Sequence, residues 1–196
     1  MQKLIKREIK ARFNWFTGRA DGLISELISP VEILASYGHD SEVEVIRESS
    51  ILWRALWDTG ATTSLIAPHI VEKCNLKPIG VLEVAVAGDI HRVSSYFVDI
   101  RLPNNVTIAN MTLGCMELPN NIDVLIGMDI ITLGDFAITN AGGRTLISFR
   151  IPSLVYIDFG RQDSPVVAPA LFVEMDQPCP CGSGQSFREC CYKTKE

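Results

Sequence analysis

The sequence places one acid, Asp58, at the end of an apolar run and directly before a turn of small residues. The run is Ala55-Leu56-Trp57, and the turn is Thr59-Gly60-Ala61. Gly60 lets the backbone turn without a clash from a Cβ atom, and the hydroxyl of Thr59 can hydrogen-bond and lock the loop. A carboxylate beside apolar neighbours ionises at a higher cost, which suits it to proton exchange. The pattern therefore indicates acid–base chemistry, with a plain strand-end turn capped by the acid as the structural alternative.

A second chemical cluster lies near the C-terminus, where four cysteines fall within thirteen residues: Cys179, Cys181, Cys190 and Cys191. Four thiolates in a tight loop suit tetrahedral Zn²⁺, which can fold a segment too short to have a core of its own. Gly182 and Gly184 permit the turn under the metal. The alternative is a disulfide or a reactive-thiol tail. Cys74 and Cys115 are distant in sequence and are predicted to be buried core thiols.

Composition excludes several classes of protein. The chain has 196 residues, 47% hydrophobic and 21% charged, which is enough for a sizeable core and rules out a wholly disordered chain. The net charge of −5 argues against a general nucleic-acid binder. No apolar run approaches the roughly 18 residues needed for a membrane span. The basic N-terminus lacks the apolar core of a secretory signal, and clustered cysteines favour metal in a reducing compartment, so we expect a cytoplasmic protein.

Many short apolar segments separated by turn residues predict an all-β fold, either barrel or sandwich. Strands are predicted at residues 31–35, 43–46, 51–57, 82–86, 93–102, 106–113, 124–127, 136–139 and 144–149. One short helix is predicted over residues 68–74, with Pro68 in its first turn. Ala87-Gly88-Asp89 reads as a hairpin turn, and Ile28-Ser29-Pro30 as a turn before the first strand.

The N-terminal residues are basic and amphipathic. Residues 1–20 carry six basic side chains against one acid, and their apolar residues fall at roughly helical spacing. We expect a surface helix packed by one face, with a membrane-surface or partner-binding helix as the alternative. The predicted organisation is an N-terminal basic segment over 1–35, a main domain over 36–155, a linker over 156–178 and a cysteine module over 179–193.

The acid and its turn are part of a larger pattern. About seventy residues after Asp58 comes Val124-Leu125-Ile126-Gly127-Met128-Asp129, and the hairpin centred on Gly88 lies between the two. In this order the sequence resembles the retropepsin-like aspartic proteases, over roughly residues 43–152. The resemblance implies a closed β-barrel of short strands and a homodimer in which each chain contributes one catalytic Asp, here Asp58.

The resemblance also implies roles for the neighbouring residues. Thr59 would bond to its twin across the two-fold axis, and Gly60 and Ala61 would shape the loop and contact the substrate backbone. Gly88 would be the tip of a flap over the bound peptide, and Gly127 would let its strand pack closely behind the catalytic loop. Asp129 is predicted to cap the segment that follows it. The chemistry is peptide-bond hydrolysis by two carboxylates that share one proton.

The cysteine pattern is similar to the SEC-C motif, found at the C-terminus of the preprotein translocase ATPase. The resemblance covers residues 178–193, with Cys191 where histidine is often seen, and it implies bound Zn²⁺ and protein contacts. Two functions follow as expectations. The first is a dimeric aspartic endopeptidase with a zinc tail that docks a partner. The alternative is a non-catalytic adaptor that uses the same dimer and tail to bind proteins.

Overall fold

The structure, a computed structural model, describes residues 14–36, 51–86, 88–119, 121–160, 166–167, 176–177, 184–186 and 188–189. The strands are β1 (Asn14–Arg19), β2 (Ile28–Ala35), β3 (Trp53–Trp57), β4 (Leu65–Ile66), β5 (Pro78–Val86), β6 (Asp89–Arg101), β7 (Thr107–Cys115), β8 (Val124–Ile126), β9 (Asp135–Thr139), β10 (Leu146–Ile151), β11 (Val155–Tyr156) and β12 (Val166–Val167). The helices are α1 (Pro68–Lys73) and α2 (Met128–Ile131), with a 3-10 turn at Ala141–Gly143. Within these ranges no helix has the length and hydropathy to cross a bilayer.

Seven strands form the main sheet, in the order β2-β3-β8-β4-β7-β6-β5. β2 pairs with β3 through residues 28–31 and then with β6 through residues 32–35. β3 and β8 are parallel, with Trp57 opposite Ile126. Both strands therefore end at the same edge of the sheet, and Asp58 follows directly at that edge.

A second sheet has the strand order β1-β10-β9. Its register aligns Phe16 with Phe149, and Phe149 with Phe136. All three rings lie against Trp57, the last residue of β3. The second sheet thus packs on the main sheet immediately behind Asp58.

The core is aliphatic and is built mostly from alternate residues of the strands. Along β10 the burial alternates strictly and places Ile147, Phe149 and Ile151 inside. The two short helices are attached through Ile70 of α1 and Ile130 of α2, both fully buried. The alternation that predicted the strands is therefore the alternation that fills the core.

The prediction of a mostly β fold is confirmed. The predicted helix over 68–74 is α1, and the predicted hairpin around Gly88 joins β5 to β6. A second short helix, α2, adds to the single helix expected. That the main sheet closes into a barrel and that the C-terminal cysteines form a folded zinc module remain predictions.

The helix expected over residues 1–20 is wrong for its last part, since residues 14–19 form β1. Asn14 pairs with Ile151 and Arg19 with Leu146, so the partner strand lies about 130 residues away. Aromatic and β-branched residues in this stretch favour a strand once such a partner is present. The turn expected at Ile28–Pro30 is also wrong, because those residues begin β2.

Some predictions fall on other parts of the chain. Residues 1–13 and the strand predicted at 43–46 lie outside the described residues. The domain boundaries stay a prediction. β1 and β2, within the segment predicted to be a separate N-terminal region, pair with β10, β3 and β6.

Candidate active site around Asp58

Asp58 is held at the end of β3 by the main chain. Its backbone N–H donates to the carbonyl of Ile126 at 2.9 Å, which extends the β3–β8 ladder by one bond. The residue is half-buried, whereas Thr59 and Gly60 are exposed. The acid therefore sits where a buried strand opens into an accessible loop.

The loop closes on the carboxylate itself. The N–H of Gly60 donates to Oδ1 of Asp58 at 2.8 Å, and the N–H of Ala61 donates to the Asp58 carbonyl at 3.2 Å. This local side-chain to backbone bond fixes the rotation of the carboxylate. A Cβ atom at Gly60 would lie 3.1 Å from Oδ1, so a side chain would crowd the same oxygen.

Gly127 lies against the backbone of the Asp58 loop. A Cβ atom there would lie 2.9 Å from the carbonyl carbon of Thr63 and 3.0 Å from the carbonyl oxygen of Ala61. The following residue, Met128, donates its N–H to that same Ala61 oxygen at 2.8 Å. Only a residue without a side chain allows β8 and the loop to approach this closely.

Ser64 and Asp129 complete the support of the loop. Ser64 donates its hydroxyl to Oδ1 of Asp129 at 2.6 Å and its N–H to Oδ2 at 2.9 Å. The same hydroxyl accepts the N–H of Gly127 at 2.9 Å. Asp129 also receives the N–H of Ile130 at 3.0 Å, but it lies in the first turn of α2, whose N-cap position is Gly127, and makes no capping bond of the predicted kind. The sequence did not predict that Asp129 also binds Ser64. The only local signal of this bond is a serine directly before an apolar strand.

The hairpin of β5 and β6 carries the predicted flap tip. Val86 pairs with Asp89, and Gly88 between them has φ +96°, a conformation that favours glycine. At the base of the hairpin, a Cβ atom at Gly114 would lie 2.9 Å from Leu65 and 3.0 Å from Val93. Gly114 belongs to β7, which lies between the hairpin and β4, the strand that follows the Asp58 loop.

The two described histidines, His69 and His91, are both exposed. Nε2 of His69 lies 2.9 Å from Oδ1 of Asp123, and its ring packs on Trp53. Trp53 begins β3 and Asp123 directly precedes β8. This cluster thus lies at the far ends of the two strands whose near ends carry Asp58.

The predicted metal ligands Cys179, Cys181, Cys190 and Cys191 lie outside the described residues. Among the residues that are described, no group of three or more His, Cys, Asp or Glu side chains could hold a metal ion. Cys74 and Cys115 are half-buried, and burial raises the pKa of both thiols. They are predominantly protonated at neutral pH, and they pack against the core while being only partly buried, not fully buried as predicted.

Two family models match the chain. The aspartyl protease model matches residues 46–130, a range that contains the Asp58 loop, the hairpin and Gly127. The SEC-C motif model matches residues 177–193, which contain the four clustered cysteines. Proteins with this motif typically bind zinc.

Solved structures similar to the chain include a retropepsin-like aspartic protease from Rickettsia conorii. It is 10% identical, with a TM-score of 0.44, over 72% of this chain and 96% of that one. Another is the foamy viral protease-reverse transcriptase in complex with an RNA/DNA hybrid. It is 18% identical, with a TM-score of 0.36, over 54% of this chain and 11% of that one. No curated protein shows significant similarity to the chain. The chain thus matches the aspartyl protease family over residues 46–130 and the SEC-C motif over residues 177–193.

Proposed function

We propose that the protein is an aspartic endopeptidase that acts as a homodimer, with Asp58 of each chain in one shared active site. The observation that carries this proposal is the Asp58 loop. Its carboxylate is oriented by the N–H of Gly60, its backbone is tied to β8, and the loop residues that would meet a second copy are exposed.

A second copy is needed because the reaction uses two carboxyl groups in different protonation states. Hydrolysis requires one carboxylate as a base and one carboxylic acid as a proton donor at the same moment. Two carboxyl groups that share a site split their titrations, so that one ionises while the other stays protonated. The sequence contains a single Asp-Thr-Gly. The second Asp58 therefore comes from another chain across a two-fold axis, in an isologous interface.

The reaction proceeds in two balanced steps. The ionised Asp58 takes a proton from water as the water oxygen bonds to the peptide carbonyl carbon, while the protonated Asp58 gives its proton to the carbonyl oxygen. In the second step the C–N bond of the tetrahedral diol breaks as the newly protonated Asp58 gives its proton to the leaving nitrogen and one diol hydroxyl gives its proton to the ionised Asp58. The products are a free carboxyl and a free amine, and the pair returns to one shared proton.

The neighbouring residues take supporting parts in this proposal. Thr59 bonds to its twin, and Gly60 and Ala61 present the loop to the substrate backbone. Gly88 forms the tip of a flap that covers the peptide and excludes water. Gly127 supports the loop from behind, as its close approach to Thr63 and Ala61 suggests.

The C-terminal module takes a separate role. Cys179, Cys181, Cys190 and Cys191 would hold a structural Zn²⁺, because four thiolates are the donor set that closed tetrahedral zinc sites use. The metal would fold the tail and supply no catalytic chemistry. We propose that the folded tail docks a protein partner, and that the protein works in the reducing cytoplasm, where such thiols stay available.

The test is cleavage of an unstructured protein at acidic and neutral pH by the wild type and by Asp58→Asn. The amide keeps the size of the side chain and removes the ionisable group, so we expect cleavage to fall by at least about a thousandfold. Asp21→Asn makes the same chemical change at an exposed residue and should cleave like the wild type. Equal cleavage by Asp58→Asn would overturn the proposal. A dimeric wild type that cleaves nothing would leave the adaptor in its place.

A further inference from the structure

Trp57, the residue directly before Asp58, is tied to a hydroxyl in another strand. Its indole N–H donates to Oγ of Ser29 in β2 at 2.9 Å, inside the core. Trp57 is 3% exposed and Ser29 is 5% exposed. A buried indole N–H is costly without a partner, and Ser29 supplies that partner.

The same ring is held on its other sides by the second sheet. Phe136 of β9 stacks on it at 5.5 Å between centroids with 15° between the planes. Phe149 of β10 lies at 4.9 Å and Phe16 of β1 at 5.7 Å, both tilted. All three strands of the second sheet therefore contact one side chain of the main sheet.

The backbone of Trp57 is fixed as well, since its N–H donates to the carbonyl of Leu27 at 2.8 Å. The adjoining Asp58 N–H is fixed to Ile126 at 2.9 Å. If the Trp57 ring rotates and shifts its own main chain, the adjoining Cα atom of Asp58 shifts too, and the carboxylate moves with it. A proton shared between two carboxyl groups depends on their separation to within about an ångström.

We propose that Ser29 and Trp57 form a positioning pair that sets the place of Asp58. The expected effect of the pair on cleavage rests on the proposed function. The expected effect of the pair on the Asp58 loop does not depend on that function. Ser29 and Trp57 do not touch the substrate in this account; they act through the Asp58 main chain. Loss of the Ser29 hydroxyl frees the indole and loosens the Asp58 loop before it loosens the fold.

The test compares Ser29→Ala, Ser29→Thr and Ser148→Ala. Ser29→Ala removes the acceptor, and Ser29→Thr keeps a hydroxyl at the same position. Ser148→Ala is the matched control. It also removes a hydroxyl hydrogen bond from a strand, that with Thr17 at 2.9 Å, but this bond does not involve Trp57.

Two readouts separate positioning from general stability. Amide hydrogen exchange at Asp58 and Gly60 should accelerate about tenfold in Ser29→Ala relative to core amides such as Leu113, and return in Ser29→Thr. The kcat should fall about tenfold with an unchanged KM. The proposed positioning pair would be overturned if Ser29→Ala exchanged at Asp58 and Gly60 at the same rate as Ser148→Ala. It would also be overturned if exchange in Ser29→Ala rose by the same factor at every core amide. The exchange measurement tests the positioning pair even if the wild type cleaves nothing. A wild type that cleaves nothing would overturn only the proposed function.

Discussion

Main-chain contacts decide where the candidate catalytic acid lies. Asp58 receives the N–H of Gly60 on its own carboxylate, and the loop behind it contacts Gly127 through carbonyl atoms of Ala61 and Thr63. Carbonyl groups in a tight loop move only with the backbone around them. At the scale of single residues the site is therefore sensitive to added volume as well as to lost functional groups.

Gly127→Ala tests this sensitivity. The new Cβ atom would lie 2.9–3.0 Å from backbone atoms that no side-chain rotation can move, so we expect a loss of about 1–3 kcal/mol in the free energy of unfolding and slower cleavage. Urea unfolding and the initial cleavage rate measure the two effects. Gly22→Ala adds the same methyl into open space and should change stability by less than about 0.5 kcal/mol. Equal behaviour of both variants would show that the loop has room.

At the scale of the elements, one carboxylate joins β9, β10 and the chain that follows. Asp135 begins β9 and accepts bonds from Arg150 of β10 through Nε at 3.0 Å and through Nη2. It also accepts the hydroxyl of Ser153 and the N–H of Leu154. Burial acts to raise the pKa of Asp135, but the bonds from Ser153, Arg150 and Leu154, with the Arg150 charge, outweigh it and lower the pKa.

This shift predicts a specific acid sensitivity of the second sheet. A carboxyl whose pKa is lower in the folded chain stabilises the fold above its unfolded pKa of about 3.9 and loses that contribution as the pH falls through the folded pKa. Asp135→Asn should therefore destabilise by about 2 kcal/mol at pH 7, and the gap to the wild type should shrink below about pH 4. Urea unfolding from pH 7 to pH 2.5 measures this. A gap that is constant with pH would contradict it, and Asp21→Asn serves as the exposed control.

The strands were predictable from sequence wherever local pattern and turn chemistry coincide. The hairpin around Gly88 and the helix at Pro68 follow from residues that lie next to each other. β1 was misread because Phe13 and Phe16 fit a helical spacing, while the strand is specified by β10, far along the chain. The order of Asp58, Gly88 and Gly127 identified the candidate site. The bond between Ser29 and Trp57 connects distant residues and leaves no local pattern. The bond between Ser64 and Asp129 leaves only the serine that directly precedes β4.

At the scale of the whole molecule, the chain matches the aspartyl protease family over residues 46–130 and the SEC-C motif over residues 177–193. In the proposed function the two have different chemical requirements, since the protease site would need a second copy of Asp58 and the zinc site would need four thiolates. We expect them to be separable by mutation, because the proposed zinc site supplies no group to the reaction.

Metal analysis of the purified, reduced protein tests the tail. We expect about one zinc ion per chain, lost when Cys179 and Cys181 are both changed to serine, with dimer and cleavage retained. Cys115→Ser changes a half-buried thiol outside the motif and should keep the metal. If the reduced wild type holds no zinc, the proposed zinc site is wrong. If the Cys179 and Cys181 double variant keeps its dimer but loses cleavage, the tail is part of the active site.

The most direct test of the shared active site is a mixing experiment. Wild type and Asp58→Asn are unfolded, combined in equal amounts and refolded together, so that chains pair at random. If each site needs Asp58 from both chains, cleavage at fixed total protein should fall to about one quarter of that of pure wild type, because only wild-type pairs are complete. A fall to about one half would mean that each chain works alone and would contradict the account.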